Sequence, residues 1–240
     1  MPVFKREYCL YCMKPLNRET GWEEFLFGPG EPRICEKCVS QLVPVSGEVC
    51  EKCGRPFAKL ESRFRKGNLC LDCVRWESSP KWKQVLLENR SLYEYNDFLA
   101  EVIARFKYRG DYAVAKIFAP DVKRAAGQFD YDYAVPVPLS ISRLYERGFN
   151  QSECVLIEAG ITPVHLLVRL HSEKQAKKSR AERIRLPQVF QLISPALPLR
   201  NKRILLFDDV YTTGSTLHHA AYVLKQAGAK AVRSLTLARR

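Results

Sequence analysis

Residues 204–216 read ILLFDDVYTTGST, and the fold is decided there. Four apolar residues, Ile204 to Phe207, read as a buried strand. Two carboxylates, Asp208 and Asp209, follow at once. A Thr-Thr-Gly-Ser-Thr turn comes next, and "GSTLHHAAYVLKQAGA" reads as a helix that stops at Gly228. Thr212 to Thr216 therefore stand at a helix N-terminus, where backbone N–H groups lack partners and can cradle a phosphate. Thr212, Thr213, Ser215 and Thr216 add hydroxyls. Gly214 permits close approach of the backbone or a positive φ. Carboxylates hold phosphate poorly but accept hydrogen bonds from vicinal hydroxyls. Asp208 and Asp209 thus point to a ribose beside the phosphate turn, or to a Mg2+ held by ligand oxygens. A simple helix cap needs one Asp or Ser, not this whole set.

Working outward, strands and helices alternate. "KQVLLENRSLYEY" reads as one or two strands. "NDFLAEVIARFKYRGD" is a helix capped by Asn96 or Asp97, with Phe98, Leu99, Val102, Ile103 and Phe106 on its apolar face. A second helix is predicted over 112–126, with Pro120 as a kink. "YAVPVPLS" is a buried strand, "NQSECVLIEAGI" a helix ending at Gly160, "VHLLVRL" a strand, and "AVRSLTLA" a last strand. The pattern predicts an α/β domain over 81–240, with a mostly parallel sheet covered on both faces. Ligands of such sheets bind at the carboxyl ends of the strands. Three polar loops leave those ends: "PLSISRLYERGFNQ" with Arg143 and Arg147, the opening stretch, and "HSEKQAKKSRAERIRLPQ". The last carries Lys174, Lys177, Lys178, Arg180, Arg183 and Arg185. Cations, carboxylates and a glycine turn at one end of a sheet suit a sugar phosphate.

Residues 1–80 are a different kind of chain. Eight of nine cysteines form four C-x2-C pairs, Cys9/Cys12, Cys35/Cys38, Cys50/Cys53 and Cys70/Cys73, separated by 22, 11 and 16 residues. Each pair aims two sulfurs at one point, and two pairs complete a tetrahedral four-sulfur site. The segment has too few large apolar residues for a full core, so structural Zn2+, one ion or two, would supply folding energy. Sequential pairing gives two zinc ribbons; a crossed pairing or a single occupied site also fits the spacing. Cys154, alone in a predicted helix, reads as a small buried apolar residue.

No apolar run approaches the roughly 20 residues of a membrane helix, and "MPVFKREYCLYC" has no signal-peptide core. These features predict a cytoplasmic protein, where clustered thiols bind metal rather than form disulfides. The formal net charge is +13: residues 1–80 hold 13 Lys+Arg against 11 Asp+Glu, and residues 81–240 hold 26 against 15. The surplus serves solubility or a phosphate-bearing partner. Tyr93, Tyr95, Tyr108, Tyr112 and Trp82 are candidate stacking surfaces for single-stranded nucleic acid, although aromatics more often fill a core. His218 and His219, adjacent in one helix, face different directions and read as packing or surface residues.

ILLFDDVYTTGST closely resembles the phosphoribosyl-pyrophosphate (PRPP) motif of type I phosphoribosyltransferases. That resemblance implies ribose contacts for Asp208 and Asp209, and 5′-phosphate contacts for Thr212, Thr213, Gly214, Ser215 and Thr216, with PRPP accompanied by Mg2+. The whole chain is similar to the ComF/ComFC family of late competence proteins, in its cysteine module and in "FKYRGD", "ERGFNQ" and "KQAKKSRAER". By that resemblance, Arg143 and Arg147 sit at a pyrophosphate loop, and residues 171–185 form the loop that closes over the site. Ser142 and Tyr145 depart from the basic residues that members often carry there. The family implies a role in uptake of transforming DNA, contact with single-stranded DNA, and a DNA-translocating helicase of ComFA type as partner. Two other readings stand beside it: an active phosphoribosyltransferase using PRPP and Mg2+ on a small nucleophile, and a scaffold with a relict site. No nucleobase-recognition segment is visible.

Overall fold

The computed structural model describes residues 7–16, 34–170, 189–193 and 198–240. In chain order its elements are α1 (Glu36–Val39), β1 (Arg65–Lys66), β2 (Leu69–Cys70), α2 (Leu71–Ser78), β3 (Asn89–Glu94), α3 (Asp97–Tyr108), α4 (Ala115–Ala126) and β4 (Tyr133–Pro136). Then follow α5 (Ile141–Arg147), α6 (Gln151–Glu158), β5 (Leu167–Arg169), β6 (Phe190–Leu192), β7 (Arg203–Tyr211), α7 (Ser215–Gln226) and β8 (Ala231–Arg239). Four strands lie side by side in the order β3, β8, β7, β4, all parallel. This is the predicted α/β sheet.

Alternation along β7 divides the interior. Leu205 and Phe207 point to one face, where they join Leu235 and Leu237 of β8, Leu99, Val102, Ile103 and Phe106 of α3, and the buried side of α4 and α6. Ile204 and Leu206 point to the other, toward Val232 and toward Leu217, Ala220, Ala221 and Leu224 of α7. A strand buried on both faces must read as a continuous apolar run, as Ile204–Phe207 does. Asn96 caps α3: its side chain accepts from the Leu99 N–H at 2.8 Å and donates to the Gln41 carbonyl at 2.8 Å.

The cysteine-rich segment clasps the sheet. Cys9 and Cys38 pack into the α3 face, and Cys50, Cys53, Cys70 and Cys73 into the α7 face. Residues between the two groups run along the outer edge of β3. There Val45 N–H bonds the Leu92 carbonyl at 2.9 Å, and Glu94 N–H bonds the Val43 carbonyl at 2.8 Å. That pairing covers a strand edge that would otherwise be open to other chains.

Three expectations need correction. "VHLLVRL" does not extend the parallel sheet. Pro163 and Val164 line up beside Ala134 of β4, then β5 turns away and pairs antiparallel with β6. Proline at the sheet edge offers no N–H to continue the ladder. "PLSISRLYERGFNQ" is not a loop throughout, because Ser140 caps the short helix α5 by accepting from the Arg143 N–H. The strand β7 does not end at Phe207 but carries the acid pair in its paired stretch, Asp208 standing opposite Thr236.

Replacing Asn96 by Ala removes a cap and a tie between α3 and residue 41. It should lower stability by about 1–2 kcal/mol, read as a drop in denaturation midpoint with an unchanged slope. A loss below a few tenths of a kcal/mol would mean that the cap carries no weight.

Candidate functional site

The turn after β7 is built around one glycine. Gly214 has φ +79°, and an added Cβ would lie 2.1 Å from the Tyr211 Oη and 3.1 Å from His218 Nδ1. Only glycine fits that space and that dihedral. It precedes the first residue of α7, so Thr212, Thr213, Ser215 and Thr216 collect at a helix N-terminus. Amides and hydroxyls so placed can receive an anion.

At the end of β7, Asp209 N–H donates to Asp208 Oδ1 at 2.9 Å. Lys107, in the last turn of α3, forms an ion pair with Asp209, both side chains being mostly buried. Burial and the neighbouring Asp209 carboxylate push the Asp208 carboxyl up to about 7, against the pull of Lys107 and Arg169. Arg169 of β5 is held below the usual guanidinium range by burial and by the charge of Arg143, with Arg147 adding to the effect while Asp208 opposes it. The arrangement sets Lys107 on Asp209 and Arg169 near Asp208, with Arg143 and Arg147 close enough to Arg169 to act on its charge. It can accept hydrogen bonds from a diol and balance the charge of phosphoryl groups.

The "ERGFNQ" stretch fixes one of these cations. Gly148 takes φ +77° after α5. Asn150 caps α6 and donates to the Val137 carbonyl at 3.0 Å. Gln151, buried, accepts from Arg147 at 3.0 Å. Lys174, Lys177, Lys178, Arg180 and Arg183 lie outside the described residues. Among the candidate stacking rings, Trp82 and Tyr93 are core residues, whereas Tyr108 is 77% exposed beneath the Arg147 guanidinium.

The cysteines form two groups, Cys9, Cys12, Cys35 and Cys38, and Cys50, Cys53, Cys70 and Cys73, with the four sulfurs of each within 4.8 Å of one another. The pairing is thus sequential. Sγ separations of 3.7 Å for Cys12–Cys35 and 3.6 Å for Cys53–Cys70 are close to the roughly 3.8 Å edge of a tetrahedron with Zn–S of 2.3 Å. They are far beyond the roughly 2.05 Å of a disulfide. The two groups share one local design. Cys9 N–H bonds the Lys14 carbonyl as Cys50 N–H bonds that of Arg55, and the amides of Cys35 and Cys70 each donate to the first sulfur, Cys9 or Cys50, at 3.3 Å. The donor sets fit Zn2+.

Lys107, Arg169, Trp76 and Arg239 escaped the sequence reading. Lys107 lies inside "FKYRGD", where a cation in the last turn of a helix was its one signal. The indole of Trp76 donates to the Thr213 carbonyl at 2.8 Å, and Arg239 donates to the carbonyls of Tyr211 and Thr212 at 3.1 and 3.0 Å. His218 and His219 are both buried, His218 stacking on Trp76 and His219 meeting Trp82 edge-on.

A double zinc ribbon preceding a phosphoribosyltransferase-type domain is the class that this fold defines. The double zinc ribbon domain family matches residues 2–74, and the phosphoribosyl transferase domain family matches residues 166–240. The chain belongs to the ComFC family of competence proteins. It is 38% identical over 237 residues to the competence protein ComFC of Bacillus subtilis, covering 96% of this chain and 94% of that one. It is 29% identical to ComFC of Streptococcus pneumoniae, over 96% and 99% of the two chains. The DNA utilization protein YhgH of Salmonella typhi is 28% identical, over 96% of each.

Two outcomes test this geometry. Gly214→Ala should cost at least about 1–2 kcal/mol from the dihedral alone, read by thermal denaturation, with a further loss from the Tyr211 contact. Asp208 has an ordinary carboxyl value of 3.8 that folding raises to about 7. Its folded proton therefore favours folding at low pH, and that contribution is lost as pH rises through 7. The Tm advantage of Asp208→Asn over wild type should be near zero at pH 4 and grow toward pH 8. A gap constant across that range would contradict the assignment.

Proposed function

We propose that this chain serves the uptake of transforming DNA and carries a PRPP-type ribose-phosphate site for that role. One observation supports the site above all: the carboxylates of Asp208 and Asp209 and the glycine turn 212–216 occupy the end of one central strand, β7, and the start of α7. In this reading Asp208 and Asp209 accept hydrogen bonds from ribose hydroxyls. Thr212, Thr213, Gly214, Ser215 and Thr216 receive the 5′-phosphate. Arg143 and Arg147, with Lys174, Lys177, Lys178, Arg180 and Arg183, contact pyrophosphate or DNA. Mg2+ enters with PRPP and offsets the pyrophosphate charge. Zn2+ in each four-cysteine site is structural, since four thiolates leave no open position.

The competence role comes from kinship with ComFC proteins and from the charge of residues 81–240. The fitting partners are single-stranded DNA and a ComFA-type translocase, in the cytoplasm. Among the described residues no helix is long and apolar enough to cross a membrane. A second reading, phosphoribosyl transfer to a small nucleophile, is favoured by the nearness of Arg143 and Arg147 to Arg169, whose charge also acts on Asp208. Such cations can stabilise departing pyrophosphate.

Calorimetric titration with PRPP and Mg2+ tests the site. Saturable binding by the wild type, lost in Asp208→Asn/Asp209→Asn, is expected; no binding at millimolar ligand would remove PRPP from the proposal. Affinity for a fluorescent oligothymidine should fall steeply between 50 and 200 mM salt, as counterion release requires. A flat salt dependence would argue against strand binding. Pyrophosphate released from PRPP in the presence of an amine or base would establish the second reading.

A further inference from the structure

The phosphate turn has its back to the second cysteine group, and two buried side chains join them. Arg239, 3% exposed, donates from Nη2 to Cys53 Sγ at 3.3 Å. Its Nη1 donates to the carbonyls of Tyr211 and Thr212. Trp76 belongs to α2, the helix that starts directly after Cys70 and contains Cys73. Its indole N–H holds the Thr213 carbonyl at 2.8 Å. Its ring lies flat on His218 at 4.0 Å, and His218 Nδ1 is 3.0 Å from the Gly214 carbonyl. Four consecutive carbonyls, 211 to 214, are therefore engaged by Arg239, Trp76 and the histidine that Trp76 supports.

That arrangement has a directional consequence. Every described peptide bond is trans, and across a trans peptide plane the N–H points opposite to the C=O. Fixing the carbonyls of Tyr211, Thr212 and Thr213 on Arg239 and Trp76 aims the amides of Thr212, Thr213 and Gly214 away from those two side chains, while the Gly214 carbonyl opens the ladder of α7 and the Ser215 N–H donates to Thr213 Oγ1 at 3.4 Å. Charge adds a second link. Four thiolates around one Zn2+ carry a net charge of about −2. Arg239, buried against Cys53, has its counter-charge there. A buried guanidinium deprived of that charge is costly, and the carbonyls it holds must share in any rearrangement.

We propose that Arg239 and Trp76 are positioning residues that couple the Cys50/Cys53/Cys70/Cys73 metal site to the phosphate turn, so that metal loading there sets affinity for a ribose phosphate. The inference rests on the ribose-phosphate reading of the turn. The first cysteine group has no such contact with the turn among the described residues.

The experiment uses the full zinc-loaded chain, ribose 5-phosphate as probe, metal analysis, and amide hydrogen exchange. Trp76→Phe keeps a ring against His218 and removes one hydrogen bond. It should retain full zinc, weaken ribose 5-phosphate binding about three- to tenfold, and speed exchange in peptides spanning 211–216 while leaving β4 unchanged. Arg239→Met should do the same with a loss of about tenfold or more. Cys53→Ser should lose zinc from one site and show the same local acceleration; if it unfolds, the Trp76 variant decides. Wild-type exchange and affinity in both Trp76→Phe and Arg239→Met would overturn the coupling. Exchange accelerated equally throughout the domain would also overturn it, as a general loss of stability. Local acceleration without ribose 5-phosphate binding by the wild type would uphold the coupling and reject the ribose-phosphate reading instead.

Discussion

A parallel strand with helices on both sides has little room for a charged group until it nears its carboxyl end. In β7 this constraint keeps Ile204 to Phe207 wholly apolar and buried. It confines Asp208 and Asp209 to the carboxyl end, where the neighbours are half-exposed. There the carboxylates meet cations from two separate directions, Lys107 of α3 and Arg169 of β5, with Arg143 and Arg147 of α5 acting on Arg169. Carboxylates at a strand end become useful because those cations offset their mutual repulsion, and the uneven balance leaves Asp208 closer to neutrality than an ordinary aspartate. The site follows from where a buried strand can stop being apolar.

The same scarcity of apolar material explains the clasp. A cysteine-rich segment with little core of its own gains stability by sharing the core of the sheet. One cysteine group contributes to the α3 face and the other to the α7 face. Asn89 shows how close the union is. It is buried in β3, donates its backbone N–H to the Lys52 carbonyl at 2.7 Å, and bonds Ser91 and Ser234 through its side chain. The metal-binding segment and the sheet therefore form one folded unit in which each closes the other.

Local chemistry was legible in the sequence; long-range partnership was not. Strand, turn and helix at 204–226 follow from apolar runs and glycine, and the cap at Asn96 from residue type. The C-x2-C spacing announced two four-sulfur sites but allowed more than one pairing, because spacing does not state which pairs meet in space. Lys107 and Arg169 reach the acid pair from elements far away in sequence, so no local pattern says that they meet it, even though Lys107 stands within "FKYRGD" at a helix end. Trp76 and Arg239 were hidden for the opposite reason: each looks like an ordinary helix or strand residue until its hydrogen-bond partner is seen. The β5–β6 pair was missed because an apolar run of strand length does not reveal its sheet. The basic residues 174–183 lie outside the described part, and the sequence remains the source of their assignment.

The order of the strands also governs when the molecule can assemble. β8 lies between β3 and β7, so the sheet is split in two until residues 231–239 have been synthesised. Before then β3 has the cysteine-rich segment beside it, through residues 43–45 and Lys52, and the phosphate turn lacks Arg239. Contacts that span most of the chain close last and slow the search for the native state. A nascent chain halted before β8 would expose the flanks of β3 and β7, surfaces that invite chaperones or aggregation. Completion of the binding turn is thus tied to the synthesis of β8: a chain that has not yet finished its sheet has not yet finished its site.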